Sequence, residues 1–268
     1  MKIETRKKLT FLIILSLLST LTYICIFNLA KTHIKLFLGV FILMWCPAVA
    51  AFSTKLIYEH NLRGFGWGLT NLYWYLLSYL LPALSGLLAY SFIWITGLGR
   101  INPEYQFNLL NFAVFGIIMH IAFAAGEEIG WRGFLVPNLF KVMGFTRTCF
   151  LSGIIWSIWH FPLVIHGKYL SNTPVAISIL QLTAVLLAMS FIINWIRLKS
   201  GSVWTAVLLH ASHNLYMQNL FDPATTLMSP LAKYFSGENG IALILIYGLL
   251  GFIFWKKRAA LYQEKTLK

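Results

Sequence analysis

Two adjacent carboxylates, Glu127 and Glu128, stand inside a long apolar stretch of the chain, and Arg132 follows four residues after the second. The other six of the eight acidic residues lie in tails, loops or segment ends. A carboxylate at the centre of a bilayer raises the free energy of insertion by ~2.5 to 3.5 kcal/mol, so a pair of them without a function would be unexpected. The pair therefore indicates a polar site inside a membrane.

The two carboxylates have different expected roles, because consecutive helical residues point ~100° apart. Glu128 and Arg132 are an i,i+4 pair and are expected to form an ion pair along one helix face. Glu127 is then the freer carboxylate, suited to proton transfer when buried. Gly126 and Gly130 let another backbone or a substrate approach closely. The alternative is a self-neutralised cluster that serves helix packing only.

Histidines supply the other candidates for acid–base chemistry. A lone intramembrane histidine such as His160 is more often a hydrogen-bonded packing residue than a catalyst. His210 and Asn214 are i,i+4, so they project from one helix face, and two neutral donors there suit an oxyanion site. The alternative is an interhelical hydrogen-bond clip, which we favour for His213. Weaker candidates are His120 and His166, the latter at the far membrane boundary.

The elements that must position these residues are predicted to be transmembrane helices. Hydrophobic residues make up 59% of the 268 residues and charged residues 11%, whereas ~25% charged is usual for soluble domains. A spanning helix needs ~20 apolar residues, and the sequence predicts an all-α bundle of about eight spans. The spans are Leu9–Ala30, Leu36–Thr54, Trp67–Thr96 (overlong, with Pro82), Leu109–Val136, Cys149–Ile165, Val175–Ile196, Val203–Phe221 and Ile241–Trp255.

Polar residues are distributed unevenly over this single membrane domain. Residues 1–108 are expected to be N-terminal scaffold spans, 109–221 a catalytic core, and 222–268 a last span with a basic cytoplasmic tail.

The three cysteines, Cys25, Cys46 and Cys149, lie within or beside apolar runs without CxxC spacing, so we expect buried thiols rather than disulfides or a metal cage.

The net charge of +13 is explained by membrane topology rather than by nucleic-acid binding. With eight spans and both termini in the cytoplasm, sixteen of the 21 cationic residues fall on the cytoplasmic side and five on the other, as the positive-inside rule requires. The excess also suits contact with anionic lipid. The compact chain without targeting extensions favours a bacterial plasma membrane.

The three candidate segments are expected to reach a similar depth in the membrane. Val136 is taken as the cytoplasmic end of its span, and Cys149 and Ser202 as the cytoplasmic starts of theirs. At ~1.5 Å per residue, Glu127 lies about 14 Å from the cytoplasmic end, His160 about 17 Å and His210 about 12 Å. The sequence therefore predicts one site, opening toward the cytoplasm.

Several hydrolytic mechanisms do not fit these residues. The sequence contains no HExxH zinc-protease motif and no GxSxG beside a histidine. Asp222 has no second aspartate with which to form a dyad. What remains is water activated by a Glu–His pair, with His210 and Asn214 stabilising the oxyanion.

Three ordered motifs resemble those of a known family. Glu127-Glu128-Ile-Gly-Trp-Arg132 is similar to the EExxxR motif of the CPBP family, which comprises CAAX proteases and bacteriocin-processing enzymes and is also called the Abi family. Trp156-Ser-Ile-Trp-His160 resembles its FxxxH motif, with Trp in place of the usual Phe. His210-Ala-Ser-His-Asn214 resembles its HxxxN/D motif. The resemblance covers roughly residues 109–221.

The resemblance implies an intramembrane endopeptidase related to CAAX prenyl proteases. Glu127 and His160 would then activate the water, His210 and Asn214 would hold the oxyanion, and Glu128 and Arg132 would support the site. Metal dependence stays open: Glu127, His160 and His210 would form a three-ligand zinc site with one open position, although the His210–Asn214 donor couple slightly favours water activation without metal.

Substrate and competing functions also stay open. The expected partners are the lipid bilayer and a membrane-associated peptide of CAAX, pheromone or bacteriocin type, with no nucleic acid and an undetermined oligomeric state. A proton-coupled transporter also explains intramembrane Glu and His, but it predicts acid–base residues along the whole membrane rather than at one depth. A non-catalytic immunity or scaffold protein is the third hypothesis.

Overall fold

The computed structural model describes residues 3–169 and 173–263, which form an almost entirely helical bundle. Lys2, Lys265 and Lys268, which belong to the predicted basic termini, lie outside these ranges. The elements are α1 (Ile3–Leu29), α2 (His33–Glu59), α3 (Leu72–Ile95), β1 (Gly99–Ile101), a π-helical segment (Asn111–Gly116), α4 (Ile117–Glu128), a second π-helical segment (Ile129–Leu135), α5 (Val136–Ile165), α6 (Val175–Ser200), α7 (Val203–Tyr216), a third π-helical segment (Met217–Phe221), β2 (Thr225–Leu227), α8 (Ala232–Phe235), α9 (Ile241–Lys256), a 3₁₀ turn (Lys257–Ala259) and α10 (Ala260–Gln263).

The all-α architecture is confirmed. Among the described residues, five helical stretches are long and apolar enough to cross a membrane. One of them, Asn111–Ile165, contains both the fourth and the fifth predicted spans, whereas α7 and α9 have only 14 and 16 residues. The count of eight spans and the location of the termini therefore stay predictions.

The turn between the fourth and fifth predicted spans lies at Gly144. This residue has φ 74° and ψ 175°, a backbone conformation that glycine adopts far more readily than other residues. The preceding helix does not end at Val136, as the sequence suggested, but continues to Met143. The predicted end was too early because Val136 and Leu139 are apolar and packed in the core.

Small residues bring α2 against α4 where the two glutamates lie. A Cβ atom at Gly126 would lie 2.5 Å from the carbonyl oxygen of Met44, and one at Gly130 would overlap Pro47. Both glycines therefore admit the backbone of α2, as expected of small residues at helix interfaces. On its other side α4 packs against α7, so the glutamates lie between these helices.

The bundle has two ends with different charge. At the basic end, α1 begins beside the end of α2, with Lys7 Nζ 3.1 Å from Glu59 Oε1. At the opposite end, here called the strand end, β1 pairs antiparallel with β2, and Tyr105 donates to the carbonyl of Asn219 at 2.6 Å. Thirteen described cationic residues belong to the segments near the basic end: Arg6, Lys7, Lys8, Lys55, Arg63, Arg132, Lys141, Arg147, Arg197, Lys199, Lys256, Lys257 and Arg258. Five belong to segments near the strand end: Lys31, Lys35, Arg100, Lys168 and Lys233.

Two of the three cysteines follow the sequence expectation. All three are free thiols, and Cys46 and Cys149 are buried. Cys25 is exposed, so its predicted burial was wrong. It shares the outward side of α1 with the exposed Leu21 and Ile24, because an apolar run in a membrane helix includes residues that face lipid as well as the protein core.

Candidate active site

Glu127 is held by two indole rings. It is 1% exposed, and its Oε2 accepts hydrogen bonds from Trp156 Nε1 at 2.6 Å and from Trp131 Nε1 at 3.4 Å. Trp131 is one helical turn further along the same chain segment, whereas Trp156 comes from α5. Donors from two directions fix the plane of the carboxylate and leave it at the edge of a cavity.

Glu128 points to other partners. Its Oε1 lies 3.0 Å from Arg132 Nη1, so the predicted ion pair is present, and 2.9 Å from Nδ1 of His210. Glu128 and Arg132 are both 0% exposed. A charge taken out of water needs such pairing, because the loss of hydration costs several kcal/mol per ion. Glu128 therefore connects the first motif to α7.

The guanidinium of Arg132 has partners on two further helices. Its Nε donates to Asn194 Oδ1 at 3.1 Å on α6, and its Cζ lies 4.0 Å above the Trp156 ring. The planar guanidinium suits both a directed hydrogen bond and stacking on an aromatic face. Asn194 in turn donates to Ser152 Oγ at 3.0 Å. Arg132 thus joins α4, α5 and α6 behind the site.

His160 presents one ring nitrogen to the site. Its Nδ1 lies 3.0 Å from the carbonyl oxygen of Trp156, and a carbonyl can only accept a hydrogen bond. Nδ1 therefore carries a proton, and in the neutral ring Nε2 is left with a free lone pair. This tautomer suits a group that accepts a proton from water.

The hydrogen bonds of His210 differ from the expectation that a neutral His210 and Asn214 would both donate to an oxyanion. Glu128 Oε1 also accepts from Arg132, so His210 Nδ1 must donate to this carboxylate. The second nitrogen of a neutral His210 is then an acceptor, and it donates only when the ring is protonated. Asn214, one turn further on α7, is half-buried and faces the same cavity. Its amide remains a neutral donor.

The four predicted catalytic residues line one small inner cavity. Glu127, His160, His210 and Asn214 surround a space of about 80 Å³, large enough to hold water. The tertiary structure therefore brings together residues from α4, α5 and α7. Their catalytic roles stay a prediction, since proximity does not establish chemistry.

A larger cavity of about 490 Å³ leads away from this space toward the strand end. It is lined by Glu127, His210 and Asn214 and extends to Asn111 and Lys168 at the strand end. The sequence predicted a site opening toward the cytoplasm, yet the same charge pattern assigns Lys168 to the other side. These two predictions are incompatible. Depth along a helix does not show which end of the bundle is open, and here neighbouring side chains fill the basic end.

The predicted zinc ligands are not grouped as a metal site would require in this structure. No group of three or more His, Cys, Asp or Glu among the described residues lies close enough to hold one ion. The predicted zinc ligands Glu127, His160 and His210 share a cavity, but they are not gathered around a common point, and Glu127 Oε2 is already engaged by two indole donors.

The three other histidines considered from the sequence have partners elsewhere in the bundle. His213 Nδ1 lies 2.9 Å from the hydroxyl of Tyr247 on α9, so it forms the predicted interhelical clip. His166, at the end of α5, stacks on Phe27 with ring centroids 3.8 Å apart. His120 lies 2.8 Å from Asn219 Oδ1 and lines the larger cavity, a location that its sequence context did not indicate.

Sequence reasoning missed a third carboxylate near the site. Glu238, in the loop before α9, is only 6% exposed, lines both cavities, and accepts a hydrogen bond from Gln218 Nε2 at 3.0 Å. Burial raises the pKa of Glu238, although the Gln218 donor opposes that shift. Its position in a short polar segment between apolar runs had placed it among the loop acids. No local signal indicated its burial, because this depends on contacts with distant residues such as Gln218.

Asp222 belongs to a neighbouring polar pocket at the strand end. It hydrogen-bonds with Tyr90, and burial, together with the nearby charge of Glu238, raises its pKa to about 7. The pocket has a volume of about 360 Å³ and shares Gln218 and Asn239 with the inner cavity. Polar side chains thus continue from the strand end to the site.

Comparison with known proteins supports the family resemblance. Residues 107–216 match the family "Type II CAAX prenyl endopeptidase Rce1-like". Over 102 residues the chain is 33% identical to "CAAX prenyl protease 2" of Methanococcus maripaludis, a match that spans 36% of this chain and 37% of that protein. The family match and the apolar helices identify an integral membrane protein. All three motifs fall within residues 107–216, so the predicted resemblance is confirmed, and over this segment the chain has the sequence pattern of the Rce1-like CAAX prenyl endopeptidases of the CPBP family.

Proposed function

We propose that the protein is an intramembrane endopeptidase, which hydrolyses a peptide bond of a membrane-associated peptide. The observation that carries the proposal is the inner cavity, where Glu127, His160, His210 and Asn214 from three helices meet around a space large enough for water. An acid–base group, a second base and a neutral donor around one such space are the parts that hydrolysis requires.

In the proposed mechanism, Glu127 and the free Nε2 of His160 orient a water molecule, and Glu127 accepts its proton as the water oxygen bonds to the substrate carbonyl carbon. The Nδ2–H of Asn214 donates to the resulting oxyanion, joined by protonated His210. The carbon–nitrogen bond then breaks, and the proton held by Glu127 passes to the leaving amine. The products are one carboxyl and one amino terminus.

The supporting residues keep this geometry. Glu128 orients His210 through Nδ1 and is itself neutralised by Arg132. The arrangement resembles the orienting carboxylate behind a catalytic histidine, which fixes the tautomer and stabilises the charged ring. Trp156 holds both Glu127 and Arg132, so it positions the acid–base group relative to its support.

We propose that the water is activated without a metal, because the candidate ligands are not grouped around one point. Metal analysis of the purified protein and activity in the presence of a chelator test this. We expect less than one bound zinc per chain and unchanged cleavage. A stoichiometric ion whose removal abolishes cleavage would contradict it.

The function itself is tested by comparing the peptides of membranes that contain wild-type protein, Glu127→Gln or His160→Ala. We expect cleavage products to disappear in both variants, while a matched control, Glu104→Gln in an exposed loop, keeps them. Full cleavage in both site variants would refute the proposal. A proton flux in liposomes that depends on the same residues would favour a transporter.

The substrate class and location follow from the same proposal. A CAAX-like, pheromone or bacteriocin-type peptide has the apolar character needed to reach this cavity. The cavity is bordered by the exposed Phe115, on the π-helical segment before α4, and by the half-buried Phe123 on α4. We propose a bacterial plasma membrane as the location. Identifying the peptide that accumulates uncut in the Glu127→Gln membranes tests both points.

A further inference from the structure

Among the described residues, the cavity that leads to the candidate site opens at the strand end of the bundle and not at the basic end. Toward the basic end the site is closed by Trp131, Phe134 and Phe65, none more than 2% exposed. Arg197 ties this closure together, since its Nε donates to the carbonyl of Arg132 at 3.0 Å and its Nη2 to that of Phe65 at 2.9 Å. The packed layer leaves no passage from the basic end to Glu127.

The cavity instead has a mouth at the strand end. Polar side chains border it there, including Asn111, Lys168, Asn219 and Glu238. Lys168 and Asn219 are exposed, so water reaches this rim. The polar rim suits an aqueous boundary rather than the lipid interior.

A second border of the same cavity is apolar. Phe37 on α2, Phe115 on the π-helical segment before α4 and Met119 on α4 line it and are exposed on the bundle surface. Such side chains suit contact with lipid. A substrate can therefore place an apolar part in the bilayer while its scissile bond reaches Glu127 from the strand end.

The difference in positive charge between the two ends of the bundle indicates on which side of the membrane the cavity opens. Thirteen described cationic residues belong to segments near the basic end and five to segments near the strand end. Since Lys and Arg accumulate on the cytoplasmic side, the basic end is cytoplasmic and the strand end lies on the other side.

From the cavity and the charge pattern together, we infer that the site receives its substrate from the non-cytoplasmic face. The inference rests on the proposed peptidase function and narrows its substrate class. The substrate is a membrane-associated peptide whose scissile bond lies in the non-cytoplasmic half of the bilayer or just outside it. A C-terminal tail exposed only to the cytoplasm does not reach Glu127 by this route.

Thiol labelling tests the inference without relying on activity. In a Cys25→Ser background, which removes the exposed thiol, cysteine replaces Lys168 at the mouth, Gln218 in the cavity wall, or Lys141 at the basic end as the matched control. We expect a membrane-impermeant maleimide to label K168C and Q218C in intact cells. K141C should be labelled only after permeabilisation.

Two results would overturn the inference. One is labelling of K141C in intact cells with protection of K168C, which would place the mouth in the cytoplasm. The other is labelling of K168C but not Q218C in intact cells, although detergent exposes both, which would show that the cavity is closed from that face. Neither result depends on cleavage, so a failure of the peptidase proposal in the Glu127→Gln comparison remains a separate outcome.

Discussion

The surroundings of Glu127 and Glu128 differ sharply, although the two residues are adjacent in sequence. Glu128 lies in a packed region where Arg132 and His210 share its Oε1. Glu127 lies at the edge of a cavity, with N–H donors on one oxygen. The same residue type is structural in one position and available for chemistry in the other, because a one-residue step along a helix rotates the side chain by ~100°.

This difference separates two ways of burying charge in a membrane protein. The Glu128–Arg132 pair neutralises itself, joins several helices and orients His210, so its removal should lower stability as well as cleavage. The carboxylate of Glu127 is oriented by neutral indole donors and has no cationic partner among the described residues, so its removal should mainly affect activity.

The largest expected effect is on cleavage in Glu127→Gln. The amide is nearly the same size but cannot accept the water proton, so we expect cleavage to fall by ~10²–10⁴-fold, the usual contribution of a general base. The thermal unfolding midpoint in detergent should change little. Glu104→Gln is the control, and equal activity of both variants would remove the distinction between the two carboxylates.

Arg132→Gln should lower stability as well as cleavage, unlike Glu127→Gln. Removing one partner of a buried pair leaves Glu128 uncompensated and destabilises by ~3–5 kcal/mol. Chemical unfolding in detergent measures this, with the exposed Arg63→Gln as the control. Unchanged unfolding of Arg132→Gln, together with lost cleavage, would show that this residue serves chemistry rather than packing.

Trp156→Phe tests the link between the two regions. Phenylalanine keeps an aromatic ring over Arg132 but removes the N–H that reaches Glu127 at 2.6 Å. Hydrogen bonds to charged groups contribute ~1.5–3 kcal/mol, so we expect cleavage to fall by about 10- to 100-fold.

Trp159→Phe is the matched control for that variant, because Trp159 Nε1 donates to Ser19 Oγ at 2.8 Å and not to the site glutamate. An equal loss in both variants would assign the effect to packing instead of to the Glu127 hydrogen bond.

The smallest expected effect concerns Asp222 at the strand end. Its pKa is raised from 3.8 to about 7 by burial and by Glu238, so the folded state holds its proton more tightly than the unfolded state. This stabilisation is fully present below about pH 4 and is lost as the pH rises through about 7. Because the side chain is partly solvated, the effect should be of the order of 1 kcal/mol.

Asp222→Asn should therefore flatten the dependence of the unfolding midpoint on pH between about 4 and 7 and leave cleavage nearly unchanged. A midpoint that falls equally with pH in the wild type and the variant would mean that another group carries the dependence.

Much of the site was predictable from the spacing of residues along helices. The i,i+4 relation identified the Glu128–Arg132 pair and the shared face of His210 and Asn214, because one helical turn fixes both. Other features depended on contacts between distant segments. The motif position Trp156 was noted only as a Trp in place of the usual Phe, yet its N–H reaches a carboxylate 29 positions away in sequence.

The sequence by itself determined the helical membrane class, the family segment and the identity of the polar residues, because apolar run length and motif spacing are local properties. Only the tertiary structure decided which groups share a cavity, that Glu128 orients His210, that Glu238 lies beside the site, and which end of the bundle is open. These features depend on how helices pack against one another, and side-chain volume in that packing, rather than depth along any one helix, determines where water and a peptide can enter.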